Sequence, residues 1–438
     1  MGNREELARE GLMEQVELLR VLAERPDLYQ CPGESLAINS AVHQAKICSR
    51  VSQVSAVSSQ REDASLMSRQ QITELWESWG VHNSGPRVLL DGFRGILWNE
   101  MTHRDVRRIC AAYCQQLRDN WLSQPGGSPH QANVLLVMGH DSRVSSLEVL
   151  DVAIRAVREQ GCRVIDVGEV SGPCLRFVVD TLEADGGIHA TSAGADRTVI
   201  GLDILGRGGI PLSGESLHVL HSATSGSDEG RCGRNSGDLS PFPARKAYLG
   251  SLWKHFRDLP AATIRVACPN DFARHVLADL AEELPLRLIP LPWSGDLADE
   301  AGGLLQEQLQ AEIRELGADL GLLLGEDGQA CEFFDASGRK LAPREVLTVL
   351  LISESCRGES VGLLLGEEFE HAGEAWWEAL PVSVRFRQSL RENFALGMKT
   401  SQARIGLDGH SRYWFRGEDG VAICDGLLTL ARVLQGLS

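Results

Sequence analysis

From Arg87 onward, short apolar runs alternate with amphipathic stretches, and no other feature of the chain restricts its fold as severely. RVLLDGFRG (87–95) reads as a strand entering a loop, and THRDVRRICAAYCQQLRDNWL (102–122) as a helix with a Thr cap. ANVLLVMG and CRVIDVG read as strands on either side of the helix SSLEVLDVAIRAVREQG, and the strand GIHATS follows the helix LRFVVDTLEADG. Strands that are apolar throughout need cover on both faces. Helices between them supply it, so the pattern predicts a parallel-type α/β sheet.

After a Ser-, Gly- and Pro-rich stretch, SATSGSDEGRCGRNSGDLSPFPA (222–244), which reads as a linker, the alternation resumes with TIRVAC, DFARHVLADLAEEL, LRLIPLP, LLQEQLQAEIRELGA and DLGLLLG. It runs on through REVLTVLLISESC, SVGLLLG, WWEALPVSVRF and ARIGLDG to the helix GLLTLARVLQGL. Three successive α/β units result: residues 86–240, 241–335 and 336–438.

Residues 1–85 differ. Leu12, Val16, Leu19 and Ala23 recur at helical spacing, as do Ala41, Ala45, Cys48, Val51 and Val54 further on; Ile72, Leu75, Trp76 and Trp79 mark a third amphipathic piece. This part is expected to be a helical N-terminal extension, either a cap on the first unit or an arm that docks on a protein partner or a second copy. Its tryptophans need something to bury against.

The formal net charge of −17 argues against a nucleic-acid partner, which needs clustered Lys and Arg to neutralise phosphates. No apolar run reaches membrane-spanning length, so no membrane insertion is expected. Eleven scattered cysteines without a CxxC pair fit a cytoplasmic or other reducing soluble compartment.

Four loops stand at strand ends, where open α/β sheets place their ligands: LLDGFRG (89–95), GHDSRVSS (139–146) with TSAGADRTVIGLD (191–203), GEDGQA (325–330) and GLDGHSRYWF (406–415). In this order, and with the phrases VIDVGEVSGP and LEADGGIHATSA between them, they resemble the α-D-phosphohexomutases, the phosphoglucomutase and phosphomannomutase family. The resemblance covers residues 87–438 and implies three α/β/α domains with mixed sheets.

The same resemblance allows each loop to be tested. The family's phosphoserine loop, Thr-Ala-Ser-His-Asn-Pro, places its phosphoserine on Ala193, its His on Gly194, its Asn on Ala195 and a later Lys on Asp203. Ser192 is the nearest hydroxyl, but a shift of one residue reverses side-chain direction in extended chain. The family's metal loop, Asp-Gly-Asp-Gly-Asp-Arg, falls on Gly325, Glu326, Asp327, Gly328, Gln329 and Ala330, leaving Asp327 alone of three ligands. Of the sugar loop, Gly409 and His410 match, while its Glu and Ser become Gly406 and Asp408. Arg94 of DGFRG and Arg143 of GHDSR are retained, with His140 in place of an Arg. Arg143 and Asp141 are expected to pair with each other or cap the helix after them; Arg94, His140, Arg143 and Arg197 form the alternative, a residual anion site. The family's fourth domain, with its Arg-x-Ser-Asn-Thr-Glu-Pro phosphate clamp, has no counterpart here and is expected to be absent.

These losses imply a non-catalytic member of the family, kept as a structural or interaction subunit that docks through its N-terminal helices, with no cofactor. Two alternatives stand beside it. One is a divergent Mg²⁺-dependent phosphoglucomutase or phosphomannomutase using Ser192. The other is a sugar-phosphate sensor binding weakly through Arg94, Arg143 and His410.

Overall fold

The computed structural model describes residues 85–437 except 90–91, 98, 123–133, 193–198, 225–235, 293–302, 356–360, 370–383, 390–392, 410 and 418–419. But for Gly85, the expected N-terminal extension lies outside the described residues, as do Ala193, Arg197 and His410.

The first unit runs β1 (Arg87–Leu89), β2 (Gly92–Ile96), α1 (His103–Leu122), β3 (Leu135–His140), α2 (Val144–Glu159), β4 (Arg163–Glu169), α3 (Gly172–Thr181), β5 (Gly186–Ala190), β6 (Val199–Gly206), α4 (Gly214–Thr224) and β7 (Leu239–Pro241). Its sheet has the order β1-β2-β6-β5-β3-β4-β7. The strands β5, β3, β4 and β7 are parallel. In contrast, β6 lies antiparallel to both β5 and β2, and β2 antiparallel to β1. The sheet is therefore mixed, as the family resemblance implies, where the apolar pattern by itself reads only as parallel-type. Too few residues separate Ala190 from Val199 for a crossover, so the chain turns back on itself. The last part of what reads as loop after Thr191, from Val199 to Asp203, belongs to this returning strand, and the linker contributes the edge strand β7. Helix α1 starts with a capping box: Asp105 Oδ2 accepts from the Thr102 N–H at 2.9 Å while the Asp105 N–H reaches back to Thr102 Oγ1 at 3.3 Å.

The second unit runs α5 (Ala244–Phe256), β8 (Ala262–Ala267), α6 (Asp271–Glu283), β9 (Leu286–Pro290), α7 (Gly303–Leu316), β10 (Leu320–Leu324) and β11 (Cys331–Asp335). Its sheet, β11-β10-β8-β9, is parallel except for the hairpin β10–β11. The turn of that hairpin is Gly325–Ala330.

The third comprises α8 (Pro343–Ser355), β12 (Val361–Gly366), β13 (Val384–Ser389), α9 (Phe394–Ser401), β14 (Ile405–Asp408), β15 (Arg412–Arg416), β16 (Ala422–Cys424) and α10 (Gly426–Leu437). Its sheet order is β13-β12-β14-β15-β16, parallel at β13-β12-β14 and antiparallel from β14 on.

One hydrophobic core joins all three. Val178 of α3, Tyr248 of α5, Leu322 of β10, Leu407 of β14 and Leu430 of α10 belong to the same buried cluster. At its centre Tyr248 donates its hydroxyl to Asp425 Oδ2 at 2.6 Å, and Asp425 Oδ1 accepts from the Leu427 and Leu428 N–H groups at the start of α10. Burial pushes the Asp425 carboxyl above its ordinary range despite these donors. Among the described residues no helix is long and apolar enough to cross a membrane, and Cys110, Cys114, Cys162, Cys174, Cys268, Cys331 and Cys424 are free, buried thiols.

Candidate functional site

The ends of β3 and β5, the turn between β10 and β11, and the hairpin β14–β15 meet at one place. Asp141, just past β3, organises the first side of it. Its Oδ2 accepts from Thr191 Oγ1 at 2.9 Å and from the Ser192 N–H at 3.1 Å, and its Oδ1 accepts from the Arg143 N–H at 3.1 Å. The Arg143 guanidinium therefore does not pair with Asp141, nor does it cap α2, whose N-cap makes no side-chain bond. It crosses to Ser192 Oγ at 2.5 Å and to Glu326 Oε2 at 2.9 Å. The expected Asp141 pairing gives way because donors already hold both oxygens of that carboxylate, whereas Glu326 brings a second carboxylate within reach.

The turn that carries Glu326 is pinned from several directions. Asn270, the N-cap of α6, accepts from the Ala273 N–H at 2.8 Å and donates through Nδ2 to the Glu326 carbonyl at 2.6 Å. Asp327 folds back on its own loop, its Oδ1 accepting from the Gln329 and Ala330 N–H groups at 2.8 and 3.0 Å. Its other oxygen takes both Nε and Nη2 of Arg412, at 2.9 and 2.7 Å. Burial alone would raise the Asp327 pKa. The Arg412 charge and the two N–H donors more than offset that and hold it below the ordinary carboxylate range.

On the far side, Arg94 of β2 donates to Asp203 Oδ1 at 2.5 Å and to its neighbour's carbonyl, Phe93 O, at 3.0 Å. Its side chain lies flat across Gly201 of β6, where a Cβ would stand 2.5 Å from Arg94 Cδ. His189 is buried and donates Nε2–H to the Val170 carbonyl at 3.0 Å. Desolvation holds its pKa below the ordinary histidine value against the pull of Asp203 and Asp141. His140 Nδ1 meets the Asp141 carbonyl at 2.5 Å.

The described residues of the expected sugar loop, Gly406, Asp408 and Gly409, do not gather at this centre. Gly406 lies within β14 against α9, where a Cβ would come within 2.7 Å of Phe394 and 2.8 Å of the Met398 sulfur. Asp408 is buried and accepts the Trp414 indole N–H at 3.1 Å. Gly409 is exposed.

Every residue of the expected anion site that the structure describes thus has an internal partner. What remains between Arg94, Asp141, Thr191, Asp203, Asp327 and Arg412 is a cavity of about 20 Å³, room for a water molecule or so. A divalent cation does not fit the donors present. Gly325 and Gln329 offer no carboxylate, Glu326 answers Arg143, and both oxygens of Asp327 are taken. Among the described residues no group of three or more His, Cys, Asp and Glu side chains could hold a metal.

Sequence reasoning did not find Arg412, Asn270, or the pairing of Asp203 with Arg94. An arginine three residues after a GLDG strand end carries no motif of its own; the bridge of Ala330 to Arg412 and the Cys331 N–H on the Ser411 carbonyl bring it to the turn. Asp203 carried a signal: an acid stands where the resembling family has a lysine, opposite a retained arginine.

Residues 90–229 match the family model for phosphoglucomutase/phosphomannomutase, alpha/beta/alpha domain I. A phosphoglucosamine mutase of Corynebacterium efficiens is 26% identical over 271 residues, 60% of this chain and 59% of that protein. One from Mycobacterium sp. strain KMS is 26% identical over 364 residues, 79% of this chain and 78% of that protein. The chain spans 59 to 60% of the length of the first two such relatives. The crystal structure of a phosphoglucomutase/phosphomannomutase family protein from Burkholderia thailandensis shares the fold with a TM-score of 0.66 at 19% identity, over 79% of this chain and 75% of that one. The exocytosis-sensitive phosphoprotein parafusin of Paramecium, in an open form, does so with a TM-score of 0.62 at 13% identity, over 81% and 71% of the chains.

Proposed function

The chain belongs to the α-D-phosphohexomutase family, and from that premise we propose that it is a member without mutase activity, retained as a structural or interaction subunit. The observation that carries this reading is the pair Arg412–Asp327. A guanidinium occupies the one carboxylate left from the family's metal loop, so the positive charge there is built into the protein. Phosphoryl transfer depends almost wholly on positioning and on neutralising the moving charge. A fixed arginine inside a closed ion pair supplies neither to an incoming substrate.

Ser192 does not restore the chemistry. It is fully buried, its Oγ accepts from Arg143, and the carboxylate of Glu326 on the same guanidinium would repel a phosphoryl group. In this reading Arg94, Arg143, Asp203 and Glu326 have become fasteners between strands and units, and Mg²⁺ has no role. Residues 1–85, with Trp76 and Trp79, are the docking arm toward a protein partner or a second copy.

The test is an assay of the purified full chain for interconversion of the 1- and 6-phosphates of glucose, mannose and glucosamine, with Mg²⁺ and a sugar bisphosphate activator. A Ser192→Ala variant runs beside it. No turnover above that variant is expected. Turnover that vanishes in Ser192→Ala overturns the proposal. For the docking arm, the mass of the full chain in solution and the position of chemical cross-links are the readout. Cross-links confined to residues after 85 would remove residues 1–85 from that role.

A further inference from the structure

A large opening lies away from this centre, where the three units meet. It is a cavity of about 940 Å³ between α3, α5, α10 and the sheet β14-β15-β16. Helix α3 separates the two places: Gly172 at its start lines the closed centre, while Arg176 and Asp180, one and two turns on, line the large cavity. Arg404 just before β14 and Arg416 at the end of β15 stand at the sheet end opposite the β14–β15 turn.

Its lining is basic, in a chain whose net charge is −17. Arg176, Lys254, Arg404, Arg416 and Arg432 face it, against the carboxyls of Asp180, Glu354 and Asp425. Glu354 is shared by Arg404 and Arg432 at 3.8 and 3.5 Å. Asp425 is occupied by Tyr248 and the start of α10. Arg176, Lys254 and Arg416 make no ion pair among the described residues. Arg176 is held with its guanidinium carbon 5.8 Å from the Trp414 ring centroid, and its Nη1 is covered yet has no hydrogen-bond partner. The local field shows on His255 in the same wall. Burial first, then Arg432 and Lys254, depress its pKa to about 4. Phe177, Leu252 and Phe415 supply an apolar side.

We propose that this three-unit junction binds a small phosphorylated molecule, its phosphate held between Arg176, Lys254 and Arg416 and its body against the apolar side. Planar guanidinium groups match phosphate oxygens in pairs, and an arginine already fixed against an indole loses little freedom on binding. The volume is that of a small-molecule pocket, which has polar groups on an otherwise apolar wall. A sugar phosphate and a nucleotide share this chemistry.

Isothermal titration of the full chain with inorganic phosphate, glucose 1-phosphate and ADP, each against sodium chloride of equal ionic strength, tests it. Saturable binding of at least one is expected, and the tighter of the two organic probes names the source. The double variant Lys254→Glu/Arg416→Glu changes exposed side chains only. It is expected to weaken binding about tenfold or more, the loss of a charge-assisted contact, with the melting temperature unchanged. Ser192→Ala at the closed centre should bind as the native chain does. Absence of saturable binding by all three probes at millimolar concentration overturns the proposal. So does binding that survives the double variant or is lost in Ser192→Ala.

Discussion

Arg412 grips one oxygen of Asp327 with two guanidinium nitrogens, Nε at 2.9 Å and Nη2 at 2.7 Å, across the boundary between the second and third units. The two side chains are 13% and 15% exposed, so the pair is shielded from water. It closes a turn that would otherwise present a free carboxylate.

Removing the arginine strands that carboxylate. Arg412→Ala should lose about 3–5 kcal/mol of stability, the usual result of breaking a buried pair from one side. The urea midpoint of the full chain reads it. The double variant Arg412→Ala/Asp327→Ala should lose clearly less than the sum of the single changes; strict additivity would mean the two are not coupled.

Magnesium should not stabilise the protein. A cation at 100 times its dissociation constant adds about 2.7 kcal/mol to a site it prefers in the folded state. Millimolar Mg²⁺ is expected to leave the melting temperature where an equal ionic strength of sodium chloride leaves it, and a saturating rise specific to Mg²⁺ would contradict the closed turn.

The same pair sets part of the acid stability. Asp327 in the folded chain sits below its ordinary value of 3.8, so the unfolded chain binds that proton more readily. The stabilisation is fully present above the ordinary carboxylate range and is lost as pH falls through it toward the folded value. Asp425, raised by burial, acts with the opposite sign, and its contribution is lost as pH rises through its folded value. The difference between the native chain and Asp327→Asn isolates the first effect: melting temperatures measured from neutral to about pH 3 should converge on acidification. Curves that stay parallel would remove Asp327 from the acid limb.

Ser192→Ala should be mild. It deletes one hydroxyl that accepts from Arg143, whose Glu326 partner remains. A loss of about 1 kcal/mol is expected, measured by chemical denaturation, with activity at the same background as the native chain.

Tyr248→Phe tests the central seam. It removes the donor to Asp425 while keeping the ring in the core, and should lose about 1–3 kcal/mol, the cost of leaving a buried polar group without its partner. A change below a few tenths would mean that the start of α10 is held by the Leu427 and Leu428 N–H groups alone.

Much of the architecture was legible because hydrophobic period is a local property. Continuous runs such as VLLVMG and LGLLL could only be covered strands, and the stretches between them could only be helices with one apolar side. The direction of β6 was less so. Val199–Gly206 is as apolar as any parallel strand, and what makes it run back is the shortness of the segment before it. At the site, the resemblance could be laid on the sequence position by position: it sets Ala193 against the family's phosphoserine, and Gly325 and Gln329 against two of its metal-loop carboxylates.

Composition and order along the chain therefore determined the three α/β units and which side chains stand in the strand-end loops, because both follow from which side chains occur and at what spacing. What became of the groups that remain was decided by tertiary structure alone. Arg143 finds Glu326 across 183 residues, Arg94 finds Asp203 across 109, and Arg412 finds Asp327 across 85. The strength of such a pair depends on distance and on the exclusion of water, and neither exists until the units have closed on one another.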